Sequence, residues 1–248
     1  MIVDSHIHCA DPAEFRRFVL PGLKEAGISA ACVFPPVEDV YDRYDPGFVD
    51  SPLWRERRRR ANRAVAAMAR EIDEIRVLPY YFVWNDFDAG ELGSGLYRGV
   101  KWHRHPDEPE YRYGSDACAR FLAAVEAMEL PVLLEETIDN TLLFLSKMTS
   151  KSPVIIPHMG MLNGGYRALD AEGVWDEPRV YADSALAPLR TIEAFLDRHG
   201  SRRLLFGSDY PFGSPPAELR KLQALGLAPQ ERDAVLGGNL LRLLHPPA

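Results

Sequence analysis

The sequence predicts an α/β protein in which eight strands and the helices between them form one barrel over residues 1–248. Three observations support this fold class: the length of 248 residues, eight short apolar runs, and amphipathic segments between the runs. Runs that are apolar on both faces are typical of parallel strands buried under helices, and such barrels commonly have about 250 residues. An open doubly wound sheet is the alternative, but the chain lacks both the GxGxxG and the Walker motif. We therefore expect a single (β/α)8 TIM barrel.

Each predicted strand is a short run rich in Val, Ile, Leu and aromatic residues, with turn-forming or polar residues on both sides. In chain order, the runs are residues 2–8, 28–34, 75–83, 97–103, 131–137, 153–158, 180–185 and 203–209. Their spacing leaves room for a helix after almost every strand, which is the alternation that a barrel requires.

Helical periodicity occupies the segments between the strands. The predicted helices are residues 13–26, 55–73, 115–129, 139–149, 188–199, 216–225 and 229–244. Pro21 is expected to break or kink the first helix, and Ser115 is expected to open the third as its cap. The acidic, Gly-containing segment 85–96 follows the third strand, so the helix there is expected to be short or missing.

Four connections after strand carboxyl ends are long and rich in Pro, Gly, Asp and aromatic residues. They are residues 35–54, 84–96, 104–114 and 159–175. In a barrel these connections line the catalytic mouth. The part at 37–54 is predicted to form a lid or a subunit contact, and a surface loop packed by its own aromatic residues is the alternative.

Composition disfavours several classes of partner. The 29 basic and 36 acidic residues give a net charge of −7, which disfavours a nucleic-acid partner. No apolar run is long enough to span a membrane, and the first residues do not read as a signal sequence. Cys9, Cys32 and Cys118 are too widely spaced for a disulfide framework, so we expect a cytoplasmic protein. The arginine-rich run at 55–60 is predicted as a solvated helix face, from which one arginine could reach a substrate carboxylate.

The strongest local signal is the pair His6 and His8 on the first predicted strand. Alternate residues of a strand point to one face, so both imidazoles are expected to face the barrel mouth. Paired imidazoles suit a divalent metal ion such as zinc. Two hydrogen-bonded core histidines are the alternative.

Other polar residues also fall at or just beyond predicted strand ends. Of the seven histidines, five do so, among them His103, His105 and His158. Asp209 ends the eighth strand, which lies beside the first when a barrel closes; a turn or helix-capping residue is the alternative. His103 is a candidate for orienting a substrate or moving a proton, whereas His105, before Pro106, is expected to be a loop residue.

Three further side chains are predicted to contact a small substrate. They are Lys101, Trp84 and Trp102. The aromatic side chains suggest a compound that is partly planar or apolar. Ordinary barrel packing is the alternative, and strand alternation directs Trp102 toward the helix layer while Lys101 points inward.

Five runs together resemble the metal-dependent amidohydrolase superfamily, in the branch that includes aminocarboxymuconate-semialdehyde decarboxylase. The runs are DSHIH at 4–8, YRGVKWH at 97–103, PVIIPHMG at 153–160, RLLFGSDYPF at 203–212 and GGNLLRLL at 237–244. The resemblance implies that His6 and His8 are metal ligands and that Asp209 is both a ligand and a proton acceptor. It implies that His158 is a ligand or polarises the substrate. Lys101 would lie near the site, or would be carboxylated and bridge two ions.

One position departs from the family pattern, because Glu135 stands where relatives usually carry a histidine at the fifth strand. Glu135 is expected to point inward as a metal ligand and Glu136 outward, unless the strand is shifted by one residue. A carboxylate shifts the preference from zinc somewhat toward manganese or magnesium. The alternative is that Glu135 only pairs with Lys101 and metal affinity is lost.

The expected function is hydrolysis of an amide, ester or lactone bond of a small molecule. A metal-activated water would lose its proton to Asp209, and His158 would stabilise the developing negative charge. Metal-dependent decarboxylation of a small unsaturated or aromatic acid is the first alternative, and a catalytically silent binding barrel is the second. Since superfamily members are often dimers, the resemblance also allows a homodimer.

Overall fold

In the computed structural model, residues 1–244 are described, and they contain eight parallel strands arranged as a barrel. The strands are β1 Val3–His8, β2 Ala30–Phe34, β3 Arg76–Phe82, β4 Gly99–His103, β5 Val132–Glu135, β6 Val154–Ile156, β7 Val180–Asp183 and β8 Leu204–Leu205. The last four residues of the domain predicted at 1–248 lie outside the described part.

The strands follow one another around the barrel in chain order, β1 to β8. Backbone hydrogen bonds join the last strand region to the first: Ser5 N donates to Phe206 O at 2.9 Å, and His8 N donates to Tyr210 O at 2.8 Å. A doubly wound sheet would place strands out of chain order, so the observed order confirms the (β/α)8 TIM barrel.

Five strands, β3 and β5 to β8, end earlier than predicted, and for β6 and β8 the difference places two site residues outside the ladder. β6 ends at Ile156, because Pro157 has no N–H to donate and His158 adopts a φ of 57°. β8 ends at Leu205, and Asp209 adopts a φ of 54°. A positive φ is unusual for residues other than glycine, so His158 and Asp209 lie at sharp turns just beyond their strands.

Helices lie between the strands, and the one after β3 is short, as predicted. They are α1 Pro12–Glu14, α2 Leu20–Glu25, α3 Pro52–Glu71, α4 Ala89–Leu92, α5 Asp116–Ala127, α6 Ile138–Leu143, α7 Tyr166–Ala171, α8 Leu189–His199, α9 Pro215–Gln223, α10 Pro229–Asp233 and α11 Asn239–Leu244.

The helix predicted at 13–26 is continued past Pro21 by a π turn rather than broken. The π turn Phe15–Val19 joins α1 to α2, and Leu20 N donates to Phe15 O. A proline ring clashes with the carbonyl four residues earlier in a regular helix, and the wider turn is one known way to accommodate such a disruption. The helix predicted at 229–244 is likewise divided by a π turn, Ala234–Gly238.

Most arginines of the run at 55–60 are exposed on helix α3, as predicted, and Arg58 is the exception. Arg58 is only 1% exposed; it pairs with Asp50 and Asp86 and donates to Val40 O at 2.7 Å. Arg63 pairs with Glu91 at 2.8 Å. The prediction of a solvated face is therefore wrong for Arg58, because carboxylates from the connections after β2 and β3 pair with it.

The three cysteines are buried free thiols, in agreement with the expected absence of a disulfide framework. Burial raises the pKa of Cys9 to about 11, so its thiol stays protonated near neutral pH. Among residues 1–244, no helix combines the length and the apolar character needed to cross a membrane.

Candidate metal centre

Three side chains from β1 and the turn after β8 converge at the mouth of the barrel. Asp209 Oδ1 lies 3.2 Å from His6 Nε2 and 3.4 Å from His8 Nε2, and all three residues are buried. Asp209 Oδ1 accepts no hydrogen bond within the described chain. Ligand atoms of a tetrahedral zinc site lie about 3.3 Å apart, since Zn–N and Zn–O distances are about 2.0–2.2 Å. The donor atoms and their spacing therefore fit a divalent metal ion.

The backbone around Asp209 explains how its turn is held. Its N–H donates to His6 O at 2.8 Å, and its carbonyl accepts from Phe212 N and Gly213 N at 2.8 and 2.9 Å. The hydrogen bond to His6 O, which joins this turn to β1, thus positions the carboxylate against the two imidazoles. This arrangement compensates for the positive φ of Asp209.

Carboxylates also lie behind His6 in the barrel interior. Asp183 Oδ2 lies 4.0 Å from His6 Nδ1 and accepts a hydrogen bond from Ser5. Burial raises the pKa of Asp183. Asp4 accepts from His6 N and Ser208 N at 3.0 Å, and burial raises its pKa to about 7. These groups support the strand that carries His6.

His158 presents one ring nitrogen to this cluster. Its Nδ1 lies 2.9 Å from Ala185 O, and a carbonyl can only accept, so Nδ1 carries the proton. Its Nε2 then faces Glu135 Oε2 at 3.7 Å and Asp209 Oδ2 at 3.9 Å. Burial lowers the pKa of His158, but these carboxylates outweigh burial and raise it to about 9.

Glu135 points into the barrel, and Glu136 lies on the opposite face, as strand alternation predicts. Glu135 Oε2 accepts from Lys101 Nζ at 2.9 Å, and both side chains are buried. Burial alone would raise the pKa of Glu135, but Lys101 and His103 hold it well below its usual range. Glu136 instead accepts from Tyr113 Oη at 2.7 Å. The pairing of Glu135 with Lys101, which the sequence left open, is thus present beside the cluster.

A second network extends from Glu135 to the connections after β2 and β4. His105 Nε2 lies 2.8 Å from Glu135 Oε1, and His103 Nε2 lies 3.3 Å from the same oxygen. Tyr41 Oη donates to Glu108 at 2.6 Å, and Arg43 Nε donates to Glu108 at 2.7 Å. His105 lies in the connection after β4, as expected, and its imidazole contacts Glu135.

A cavity of about 210 Å³ opens between these networks. Its polar wall contains His8, Arg43, His103, His105, Glu135, His158 and Asp209. Its apolar wall contains Val37, Met161, Leu162, Leu186 and Phe212. The cavity thus offers both polar and apolar contacts to a small molecule.

The structure does not bring the three predicted substrate-contact residues to this wall. Trp102 is fully buried on the helix side of β4, against Phe144, and its Nε1 donates to Tyr113 Oη at 3.1 Å. Trp84 is stacked on Tyr41, with ring centroids 3.9 Å apart. Lys101 is buried beneath the cavity, where Glu135 binds its ammonium. Packing and pairing, rather than substrate contact, account for these positions.

Arg43, Tyr41 and Glu108 were missed by sequence reasoning. They belong to irregular connections, where no periodicity indicates which way a side chain points. The contact of His105 could have been predicted from the sequence. It follows His103 by two residues, so continued strand alternation beyond the end of β4 puts both side chains on the same face.

The comparison with protein-family models matches residues 3–245 to the amidohydrolase family. Among curated proteins no match is found. Solved structures share the fold at low identity. One is 2,6-dihydroxybenzoate decarboxylase from Rhizobium, at 16% identity and a TM-score of 0.71, covering 98% of each chain.

Two further solved structures share the fold and contain bound ions or small molecules. A dihydroxybenzoic acid decarboxylase from a Polaromonas species, with bound manganese and the inhibitor 2-nitroresorcinol, is 15% identical (TM-score 0.70; 98% of this chain and 96% of that chain). A probable 2-pyrone-4,6-dicarboxylic acid hydrolase from Acinetobacter baumannii, with citric acid bound, is 14% identical (TM-score 0.72; 98% of each chain).

The family match covers nearly the whole chain and confirms the resemblance that the sequence motifs indicated. It also confirms the expectation of an amidohydrolase-type enzyme. This chain belongs to the amidohydrolase family.

Proposed function

We propose that this protein is a metal-dependent enzyme that cleaves a bond in a small organic acid, or in its ester, lactone or amide. One observation carries the proposal: Asp209 Oδ1 is buried without a hydrogen-bond donor, between the Nε2 atoms of His6 and His8. An unsatisfied buried carboxylate oxygen costs free energy, and a cation bound there would remove that cost.

His6, His8 and Asp209 would hold the ion, with His158 Nε2 close by. Two imidazoles and one carboxylate suit zinc; manganese and magnesium are the alternatives, and manganese is present in the Polaromonas structure. A divalent ion supplies Lewis-acid polarisation of a substrate and a lowered pKa of water.

Hydrolysis is the first candidate reaction, because the chain offers a proton acceptor and a second polar group on the cavity wall. Asp209 would accept the proton of the attacking water and return it to the leaving group. His158, oriented by the Ala185 carbonyl, would place Nε2 against the substrate oxygen where negative charge develops. His103, also on the wall, would orient the substrate.

Decarboxylation is the second candidate, favoured by the apolar wall and by the relatives. Val37, Leu186 and Phe212 line the cavity together with the polar groups and suit a flat, apolar ring. Dihydroxybenzoate decarboxylases are among the structures that share the fold over nearly the whole chain. Loss of carbon dioxide requires a proton donor for the ring carbon, and His158 would fill that role.

An acidic substrate is proposed because Arg43 lies in the cavity wall. Guanidinium groups bind carboxylates in a two-pronged fashion, although Arg43 now pairs with Glu108. The free thiols favour a reducing compartment, so we further propose that the enzyme acts in the cytoplasm.

The test is a substrate panel with two readouts, run on protein purified without a histidine tag and loaded with zinc or manganese. Lactones, aryl esters and pyrone carboxylates report hydrolysis by acid release, and dihydroxybenzoates report decarboxylation by release of carbon dioxide. Asp209→Asn is expected to lose at least 100-fold in kcat/KM, the order of a general-base contribution. Asp197→Asn, on the exposed side of α8, is the matched control and is expected to match wild type.

Absence of turnover on the whole panel, together with absence of bound metal in wild type, would overturn the proposal and favour the silent binding barrel. Turnover of one substrate class with equal rates in wild type and Asp209→Asn would overturn the role of Asp209.

A further inference from the structure

We propose a second divalent-cation site in the barrel mouth, formed by His103, His105 and Glu135. It rests on the proposed function only in that a first ion would occupy the neighbouring centre at His6, His8 and Asp209. The ligand atoms are His103 Nε2, His105 Nε2 and a Glu135 carboxylate oxygen, and they lie within 4.8 Å of one another.

The spacing of the two histidines repeats that of the first centre. His103 ends β4 and His105 follows two residues later, so both imidazoles lie on the same side of the extended chain. Their Nε2 atoms converge on one atom, Glu135 Oε1, at 3.3 and 2.8 Å. The other oxygen, Oε2, is bound by Lys101, so each carboxylate oxygen has its own set of neighbours.

The opposite ring nitrogens of both histidines face a single carboxylate. Glu108 lies 3.6 Å from His103 Nδ1 and 3.5 Å from His105 Nδ1. Tyr41 and Arg43 donate to this carboxylate and hold it in place. Histidine ligands of metal ions commonly donate their other N–H to such a carboxylate, and His103 Nδ1 is placed to do so. At His105 the guanidinium of Arg43, which can only donate, lies 3.1 Å from Nδ1, so Nε2 carries the proton toward Glu135 Oε1 and a cation would replace that proton.

The contact between His103 and Glu135 depends on which ring nitrogen of His103 carries the proton. When Nδ1 of a neutral imidazole carries the proton toward Glu108, Nε2 is an acceptor. That acceptor then faces the carboxylate oxygen of Glu135 at 3.3 Å. Two acceptors in contact repel each other, and a divalent ion between them would satisfy both.

Nearby charges make this the weaker of two sites. Glu135 is its only anionic ligand, and Lys101 shares that carboxylate. Arg43 neutralises Glu108 and also lies 3.1 Å from His105 Nδ1. The second ion should therefore bind after the first and at higher free metal concentration.

The experiment is a zinc titration of the full chain, with bound metal counted by plasma mass spectrometry after gel filtration and cobalt(II) absorption as a second readout. Wild type is expected to bind two ions in two steps. The variant His103→Gln/His105→Gln is expected to keep one ion at the tighter affinity. The variant His6→Gln/His8→Gln is expected to keep one ion at the weaker affinity.

Glu108→Gln leaves all three ligands in place and tests the positioning carboxylate. It is expected to weaken only the second step, by about 10- to 100-fold. Circular dichroism and thermal melting confirm that each variant is folded before its metal content is interpreted.

Three other results would overturn one or both of the proposed metal sites. One ion in wild type that survives His103→Gln/His105→Gln and is lost in His6→Gln/His8→Gln overturns the second site and leaves the proposed function intact. One ion with the opposite pattern overturns the first centre and supports the second. Absence of bound zinc and cobalt in wild type overturns both.

Discussion

Lys101 Nζ lies 2.9 Å from Glu135 Oε2 and 3.4 Å from His6 Nε2, so one buried ammonium joins β4, β5 and β1 beneath the cavity. Both partners of the ion pair are almost fully shielded from water. A buried charge that loses its partner is strongly destabilising, whereas removal of both charges together is often tolerated.

The first prediction concerns this pair. Lys101→Met is expected to lower the free energy of unfolding by about 3–5 kcal/mol, because the buried Glu135 carboxylate loses the cation that lies nearest to Oε2. The double variant Lys101→Met/Glu135→Gln is expected to lose less than the sum of the two single variants. Urea unfolding of chelator-treated protein measures the free energies of this double-mutant cycle. Lys147→Met, at an exposed lysine, is the control. Additive losses would contradict the coupling.

The second prediction concerns metal removal. A ligand that binds only the folded state at 100 times its dissociation constant adds about 2.7 kcal/mol of stability. Wild type with zinc at that excess is expected to melt at higher temperature than chelator-treated protein. Asp209→Asn is expected to lose most of this increment, because it removes the charged ligand between His6 and His8. Equal increments in both proteins, measured by calorimetry, would argue against a centre at Asp209.

The third prediction concerns Arg58, which joins α3 to two connections at the mouth. Arg58→Leu is expected to cost about 2–3 kcal/mol of unfolding free energy. This is below the value for a fully buried pair, because Asp50 and Asp86 keep 13% and 16% of their side-chain surface exposed. Arg60→Leu on the exposed face is expected to stay within about 0.5 kcal/mol of wild type. Similar losses in the two variants would show that the pairing is unimportant.

The fourth prediction concerns Gly207, which lies just before the turn that carries Asp209. A Cβ atom at this position would collide with the side chains of Asp183 and Ser5, behind His6. Gly207→Ala is expected to cost about 1–3 kcal/mol through overpacking, and to weaken zinc binding because His6 is displaced. Gly114→Ala meets open space and serves as the control. Wild-type zinc affinity in a destabilised Gly207→Ala would separate this packing from the metal centre.

The two-residue period of the strands was sufficient to predict the direction of many side chains in the candidate site. The alternation of His6 with His8, and of Glu135 with Glu136, follows from local backbone geometry in which neighbouring side chains point to opposite faces. The order of eight strands predicted the barrel, and closure of a barrel brings the end of the eighth strand beside the first. Asp209 could thus be expected beside the two histidines, as the structure shows.

Sequence reasoning was weaker where the chain leaves regular structure. The strand ends at His158 and Asp209 were placed inside the ladder, because positive φ values at residues other than glycine carry no reliable sequence signal. Trp84 and Trp102 were assigned to substrate on residue type, but the helix layer and Tyr41 cover them.

The sequence by itself therefore determined the barrel, its strand order and which strand residues face its interior, because these depend on a two-residue period and on a repeated βα pattern. Only the tertiary structure decided that Arg43, Tyr41 and Glu108 join His103 and His105. The contacts of Tyr41 and Arg43 with Glu108 connect segments 67 and 65 residues apart through irregular connections, whose direction depends on the closed barrel around them.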